Sequence, residues 1–156
     1  RFPDARLLFM LRDPMSFVPS GMSLVTGPLD ARFGFWRLPE SVRRAYIERL
    51  YNGFLLLNRA FYDDWVAGRI PRDRVMLVHY DRMMTDFEGL MAQVLAFAEV
   101  TPDAALTEAI HAEAEKQRTY KSRHAYDLAR FGLDRDRILA DYAFYYDTFE
   151  VARPAP

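Results

Sequence analysis

Residues 7–14 read Leu-Leu-Phe-Met-Leu-Arg-Asp-Pro, an unbroken apolar run closed by an arginine, an aspartate and a proline. Five apolar residues that stop at a proline are typical of a strand buried on both faces, as in parallel sheets. Pro14 suits the first turn of a helix, where its missing N–H group costs nothing. The sequence therefore predicts a buried strand over residues 7–11 that leads into a helix from Pro14 to about Leu24.

The rest of the chain alternates between helical and strand-like periodicity. The predicted elements are a loop over residues 25–39, a long helix capped by Ser41 and ended at Gly68, a strand over residues 75–80, helices over residues 87–100 and 102–116 (the second capped by Thr101), an irregular segment over residues 117–133 and a last helix after Asp134. The order of strand, helices, strand and helices favours an α/β fold with a parallel sheet. Two strands are fewer than most sheets contain, so further strands are expected upstream of Arg1.

Composition excludes several classes of function. The 156 residues carry a formal charge of −1, which argues against bulk binding to nucleic acid or to an anionic membrane. No apolar run is long enough to cross a bilayer. Cysteine is absent, which excludes disulfides, thiol catalysis and thiolate metal sites. A reducing, cytoplasmic setting is the expectation for this chain, which is expected to form a single domain.

The common catalytic motifs are missing. The three histidines (His79, His111 and His124) are scattered and no His-Glu-x-x-His occurs, so no metal site is expected. No Gly-x-Ser-x-Gly elbow is present. The seven glycines form neither of the two common phosphate-cradling loops, GxGxxG and GxxxxGK.

One arrangement suits an anion. Arg12 stands at the carboxyl end of a predicted parallel strand, where open α/β sheets bind ligands. The helix that opens at Pro14 offers N–H groups and the positive end of its dipole, and Ser20 adds a hydroxyl donor. Arginine recognises phosphate through two parallel hydrogen bonds. The alternative is a structural ion pair between Arg12 and a carboxylate.

These residues also resemble a known family. Residues 12–20, Arg-Asp-Pro-Met-Ser-Phe-Val-Pro-Ser, resemble the segment of sulfotransferases that binds the 3′-phosphate of 3′-phosphoadenosine 5′-phosphosulfate (PAPS). In that family a strand ends in Arg-(Asn/Asp)-Pro and a serine follows eight residues after the arginine. Residues 75–83 resemble the family's strand ending in Tyr-Glu-Asp, except that Asp81-Arg82 replaces Glu-Asp. Residues 120–133 resemble a C-terminal signature of the bacterial and carbohydrate-type branch.

The resemblance implies a P-loop-like, three-layer parallel sheet flanked by helices, of which residues 1–156 form a helix-rich C-terminal part. It implies transfer of a sulfuryl group from PAPS, without a metal, to a hydroxyl or amine of a small-molecule or carbohydrate acceptor. Arg12 and Ser20 would hold the 3′-phosphate and Tyr80 would touch the adenine. Lys121 and Ser122 would close over the nucleotide, with Arg118 and Arg123 as rivals for that task. A solvent-exposed basic turn is the alternative for this last segment.

The resemblance also identifies what is missing. The family's catalytic base and its glycine-rich loop for the 5′-phosphosulfate are expected upstream of Arg1, and His124 is expected to have a structural role. The chain alone is therefore expected to be inactive. Two other interpretations stay open: a non-catalytic nucleotide- or partner-binding module of the same fold, and a structural helical module whose aromatic surface joins a partner. Phe33, Phe35 and Trp36 either line an acceptor groove or form an apolar plug.

Overall fold

The computed structural model describes residues 4–119 and 128–154. They form two compact units: a sheet unit, which contains residues 4–12 and 68–119, and a helical unit, which contains residues 13–67 and 128–154. Two strands and seven α-helices are described: β1 (Leu7–Leu11), α1 (Pro14–Phe33), α2 (Glu40–Val66), β2 (Val75–His79), α3 (Tyr80–Thr85), α4 (Phe87–Ala98), α5 (Ala104–Thr119), α6 (Arg135–Asp141) and α7 (Ala143–Phe149). The α/β class predicted from the sequence is confirmed.

The sheet unit contains a parallel pair of strands. β1 and β2 run side by side, with Leu7 opposite Val75 and Leu11 opposite His79. Both predicted strands are therefore confirmed. Tyr80, predicted to end the second strand, instead begins the short helix α3.

The predicted burial of β1 on both faces is wrong for this chain. Leu11 is 1% exposed, but Leu7, Leu8 and Met10 are 59%, 51% and 46% exposed. Among the described strands β1 pairs only with β2. An apolar run predicts a strand, but its burial also needs covering layers and neighbouring strands, which the described residues do not provide on both faces.

Helix α1 is longer than predicted, and the loop expected over residues 25–39 is mostly helical. Pro19 and Pro28 lie inside α1 without ending it. Each proline removes one backbone hydrogen bond, but Val18 and Met22 are completely buried along the same helix. Packing of this face therefore outweighs the local loss. The helix ends where Gly34 adopts a left-handed conformation with φ 66°.

The long helix α2 is confirmed, although Pro39 rather than Ser41 occupies its N-cap position. The predicted last helix is divided at Tyr142 into α6 and α7. The first of these helices begins after Asp134, as predicted, and the Asp134 carboxylate caps it by accepting a hydrogen bond from the Arg137 N–H at 3.0 Å. Aromatic rings supply much of the buried core of the helical unit, namely Phe35, Tyr51, Phe131, Tyr142, Tyr145, Tyr146 and Phe149.

In the sheet unit α4 is confirmed, whereas the cap predicted for α5 is wrong. Asp103, not Thr101, caps α5, and its carboxylate accepts a hydrogen bond from the Leu106 N–H at 2.7 Å. Aspartate is a better N-cap than threonine, so the helix begins two residues later than predicted. No helix in the described ranges combines the length and the apolar character needed to span a bilayer.

Candidate functional site

Arg12 and Tyr80 lie together at the carboxyl end of the sheet. Since Leu11 is paired with His79, the next residue of each chain segment leaves its strand at the same edge. The guanidinium carbon of Arg12 is 4.4 Å from the centre of the Tyr80 ring, a cation–π contact. The sheet register thus brings together two of the residues that sequence reasoning selected.

The first turn of α1 does not offer free N–H groups, contrary to expectation. The Asp13 carboxylate accepts a hydrogen bond from the Met15 N–H at 2.9 Å. The Asp13 carbonyl accepts hydrogen bonds from Ser16 and Phe17 at 2.8 and 2.9 Å. Aspartate is a strong N-cap and satisfies these donors within the chain. The backbone N–H groups of this turn are therefore already hydrogen-bonded within the chain.

A residue that sequence reasoning missed holds Asp13 in place. The hydroxyl of Tyr146 in α7 donates a hydrogen bond of 2.6 Å to the same Asp13 carboxylate. Burial of Tyr146, together with this bond to Asp13, raises the pKa of its hydroxyl above the usual value of 10. The two residues are 133 positions apart, so no local signal in the sequence could have revealed the contact.

Of the other predicted binding residues, the structure describes Ser20 alone. Ser20 lies in α1, in the helical unit, and its side chain is partly exposed. Lys121 and Ser122 lie outside the described residues, as do Arg123 and His124. The rival Arg118 is described, and it pairs with Glu88 and Glu115 on the surface of the sheet unit.

Asp81-Arg82 stands where the family has Glu-Asp, and the contacts of Arg82 explain this difference. Arg82 donates hydrogen bonds to the carboxylate of Asp86 and to the side-chain oxygen of Gln93, both at 2.7 Å. The bond from Arg82 holds the pKa of the exposed Asp86 carboxyl below its usual value. Arg82 thus stabilises the connection between α3 and α4, whereas the Asp81 side chain is exposed.

Comparison with known proteins gives two matches and one negative result. A sequence model described as the sulfotransferase family matches residues 1–104. The fold is similar to the crystal structure of a sulfotransferase from Mycobacterium avium, with a TM-score of 0.65 and 24% sequence identity. No curated protein matches the sequence significantly.

The structural match covers 99% of this chain and 38% of the Mycobacterium avium chain, so the sequence spans well under half the length of that relative. At this identity the similarity concerns the fold. The sequence match extends over more than half of the chain and includes Arg12, Ser20 and Tyr80. The chain therefore belongs to the sulfotransferase family.

Proposed function

We propose that the protein to which this chain belongs transfers a sulfuryl group from PAPS to a hydroxyl or amine of a small-molecule or carbohydrate acceptor. The observation that carries the proposal is the contact of Arg12 with Tyr80 at the carboxyl end of the parallel strands, inside the segment that matches the family. In α/β sheets this edge is the usual place for a ligand.

Each residue has a distinct role in this proposal. The Arg12 guanidinium donates to the 3′-phosphate, and the Ser20 hydroxyl adds a further donor. The Tyr80 ring lies against the adenine and, through its contact with Arg12, restricts the orientation of the guanidinium. Lys121 and Ser122 close over the nucleotide.

The reaction is an in-line displacement at sulfur. An acceptor oxygen or nitrogen forms a bond to sulfur while the bond from sulfur to the 5′-phosphate oxygen breaks. Adenosine 3′,5′-bisphosphate leaves with the electron pair of that bond, and the acceptor proton passes to a base. Donors around the sulfuryl and phosphate oxygens stabilise the charge that develops there.

The base and the phosphosulfate loop belong, in this proposal, to a part of the protein beyond these 156 residues. The two common glycine loops do not occur in the sequence, and the Mycobacterium avium relative is much longer. Residues 1–156 would then be the C-terminal part of a larger, P-loop-like three-layer domain. The chain by itself would bind the nucleotide product but not catalyse transfer.

The test compares two nucleotides that differ only in the 3′-phosphate. Isothermal titration calorimetry would measure the affinities for adenosine 3′,5′-bisphosphate and adenosine 5′-monophosphate. Arg12→Ala should weaken bisphosphate binding about 10- to 100-fold, because a hydrogen bond to a charged group contributes about 1.5–3 kcal/mol. Binding of the monophosphate should hardly change.

Arg49→Ala is the matched control, since Arg49 lies exposed on α2. Arg12→Lys keeps the positive charge but loses the planar guanidinium with its two parallel donors. This variant should retain part of the preference for the bisphosphate over the monophosphate. If Arg12→Ala preferred the bisphosphate over the monophosphate as strongly as the wild type does, the assignment of Arg12 to the 3′-phosphate would be contradicted. Turnover of PAPS by the 156 residues alone would contradict the proposed need for further sequence.

The second candidate is a non-catalytic nucleotide- or partner-binding module. The hydrogen bonds of Arg82 to Asp86 and Gln93 favour this second candidate. At this position the family has an acidic residue, whereas here an arginine links α3 to α4. The two candidates differ in a transfer assay on the longer parent protein. Sulfuryl transfer supports the enzyme, whereas nucleotide binding without transfer supports the module.

A further inference from the structure

One face of helix α2, in the helical unit, is exposed and largely apolar. Leu56 and Leu57 are each 70% exposed, and Val42 and Tyr46, further towards the amino terminus, are 50% and 38% exposed. Single exposed apolar residues are common on protein surfaces, but these four recur at helical spacing on one side of the same helix. Because α2 has 27 residues and is about 40 Å long, they form a stripe rather than an isolated contact.

Small residues accompany the two leucines on this face. Gly53 precedes Leu56 by three positions and Leu57 by four, and Ala60 follows them at the same spacings. An added Cβ at Gly53 would meet no atom within 4 Å, so the helix backbone is open to close approach there. Gly53, Leu56, Leu57 and Ala60, which we call the α2 patch, therefore present ridges and a shallow gap that suit another helix.

Opposite charges lie at the two ends of the α2 patch. Arg49 lies one turn before it and Asp63 one turn after it, and both side chains are exposed. Asp64 adjoins Asp63 at the same end. The guanidinium carbon of Arg59, one turn before Asp63, is 3.9 Å from the centre of the Phe144 ring, so this arginine packs against α7. The patch thus has a basic end and an acidic end, about 21 Å apart along the helix axis.

This pattern is complementary to itself when reversed. Two α2 helices that run antiparallel about a two-fold axis beside Leu56 and Leu57 place the leucines of one copy against those of the other. The same axis places Gly53 opposite Ala60 of the second copy and Arg49 opposite its acidic end, and each contact occurs twice. A parallel pair would instead bring like charges together. The charges therefore favour one occupant, a second copy of the same helix in the antiparallel direction.

From these observations we infer that the α2 patch is an interface between two copies of this chain, which pair through antiparallel α2 helices. The small side chains of Gly53 and Ala60 let the two helix axes approach to about 8 Å. One helix face buries less area than the roughly 1,600 Å² of a standard interface. The dimer is therefore weak, with an expected Kd of about 10–100 µM.

Analytical ultracentrifugation over about 5–500 µM protein tests the pairing. The mass should rise with concentration from the 18.2 kDa of one chain towards twice that value. Leu56→Ser should raise the Kd at least about tenfold, because a two-fold interface loses two leucines. The matched control is Leu24→Ser, which removes a 76% exposed leucine from α1 and should dimerise as the wild type does. A wild-type chain that stays monomeric at all these concentrations would overturn the inference.

Charge reversal tests the direction of the pair. Arg49→Asp and Asp63→Arg should each weaken dimerisation at least about fivefold, because each change places like charges together at two symmetric contacts. The double variant Arg49→Asp/Asp63→Arg should recover most of the affinity, since opposite charges meet again. Arg32→Asp, at an exposed position of α1, is the control for the change of net charge. Equal or greater weakening in the double variant would contradict the antiparallel arrangement.

Cross-linking keeps the inference testable if a variant above fails to fold. The chain contains no cysteine, so a single introduced thiol reports whether a position meets its own copy. With copper–phenanthroline as oxidant, Leu56→Cys, beside the axis, should form a disulfide-linked dimer. Val42→Cys should not, since the antiparallel arrangement places its two copies about 40 Å apart. Equal cross-linking at both positions would overturn the inference. No nucleotide is used in these experiments, so their outcome is independent of the proposed sulfuryl transfer.

Discussion

Two buried tyrosines of the helical unit should respond in opposite ways to loss of the hydroxyl. Tyr146 and Tyr142 are 2% and 0% exposed, and they lie four positions apart. The Tyr146 hydroxyl donates to the Asp13 carboxylate at 2.6 Å. Within the described part of the chain, the buried Tyr142 hydroxyl makes no hydrogen bond of good geometry, although the Asn58 amide interacts with it. Tyr146→Phe should therefore destabilise the fold, whereas Tyr142→Phe should be neutral or stabilising.

The magnitudes follow from these contacts. Tyr146→Phe removes a hydrogen bond to a charged acceptor, but Asp13 keeps its bond to the Met15 N–H and its side chain is partly exposed to water. The expected loss is about 1.5 kcal/mol, at the lower end for bonds to charged groups. For a chain of this size that corresponds to a fall in Tm of about 3–6 °C. Tyr142→Phe removes a buried hydroxyl whose loss of hydration no good hydrogen bond offsets. The Tm of this variant should therefore stay constant or rise by about 2–4 °C.

Differential scanning calorimetry of the wild type and the two single variants at one pH and protein concentration measures these shifts. Urea unfolding supplies the free energies, with equal m values confirming that the unfolded states are comparable. Equal losses in both variants would refute the reasoning, because they would show that the ring environment rather than the hydrogen bond determines the cost. An unchanged Tm in Tyr146→Phe would show that its bond to Asp13 does not stabilise the fold.

Two further changes test the ion pair of Arg137 with Glu48 in the helical unit, where the hydrogen bonds measure 2.9 and 2.6 Å, and the end of α1. The hydrogen bonds from Arg137 hold the pKa of Glu48 below its usual 4.5, so this pair stabilises the fold above that pH and the contribution disappears as the pH falls through the folded-state pKa. The free energy of unfolding, measured by urea titration, should consequently fall less in Glu48→Gln than in the wild type between about pH 5.5 and about pH 3. An equal fall in both proteins would contradict this. Gly34→Ala should cost about 1 kcal/mol because φ is 66° there. Gly27→Ala, in open space on α1, should raise the Tm slightly, and a fall of similar size in both alanine variants would refute the conformational argument.

Much of the fold could be predicted because its signals are local. The apolar runs over residues 7–11 and 75–78 and the period of α2 are properties of consecutive residues, and the structure has strands and a helix where these patterns predicted them. Prediction failed where packing overrode a local signal. Pro19 and Pro28 indicated breaks that the buried face of α1 overcomes, and the division at Tyr142 had no clear marker.

The candidate site was predictable to the same extent. The Arg-Asp-Pro segment and the tyrosine after β2 could be selected because a strand end followed by a helix is visible in the sequence. The sheet register then decided that Arg12 contacts Tyr80. The first turn of α1 was misjudged, since a helix N-terminus suggests open donors whereas Asp13 satisfies them with its own carboxylate and carbonyl.

The sequence alone determined the α/β class, the two strands, most helix positions and the resemblance to sulfotransferases, since each depends on the order and spacing of neighbouring residues. Only the tertiary structure decided that β1 leaves Leu7 and Leu8 exposed, that Tyr146 holds Asp13, and that Arg43 and Arg130 surround Trp36. These features join residues from distant parts of the chain. Their distances depend on how whole helices and strands pack, and no periodicity within one segment carries that information.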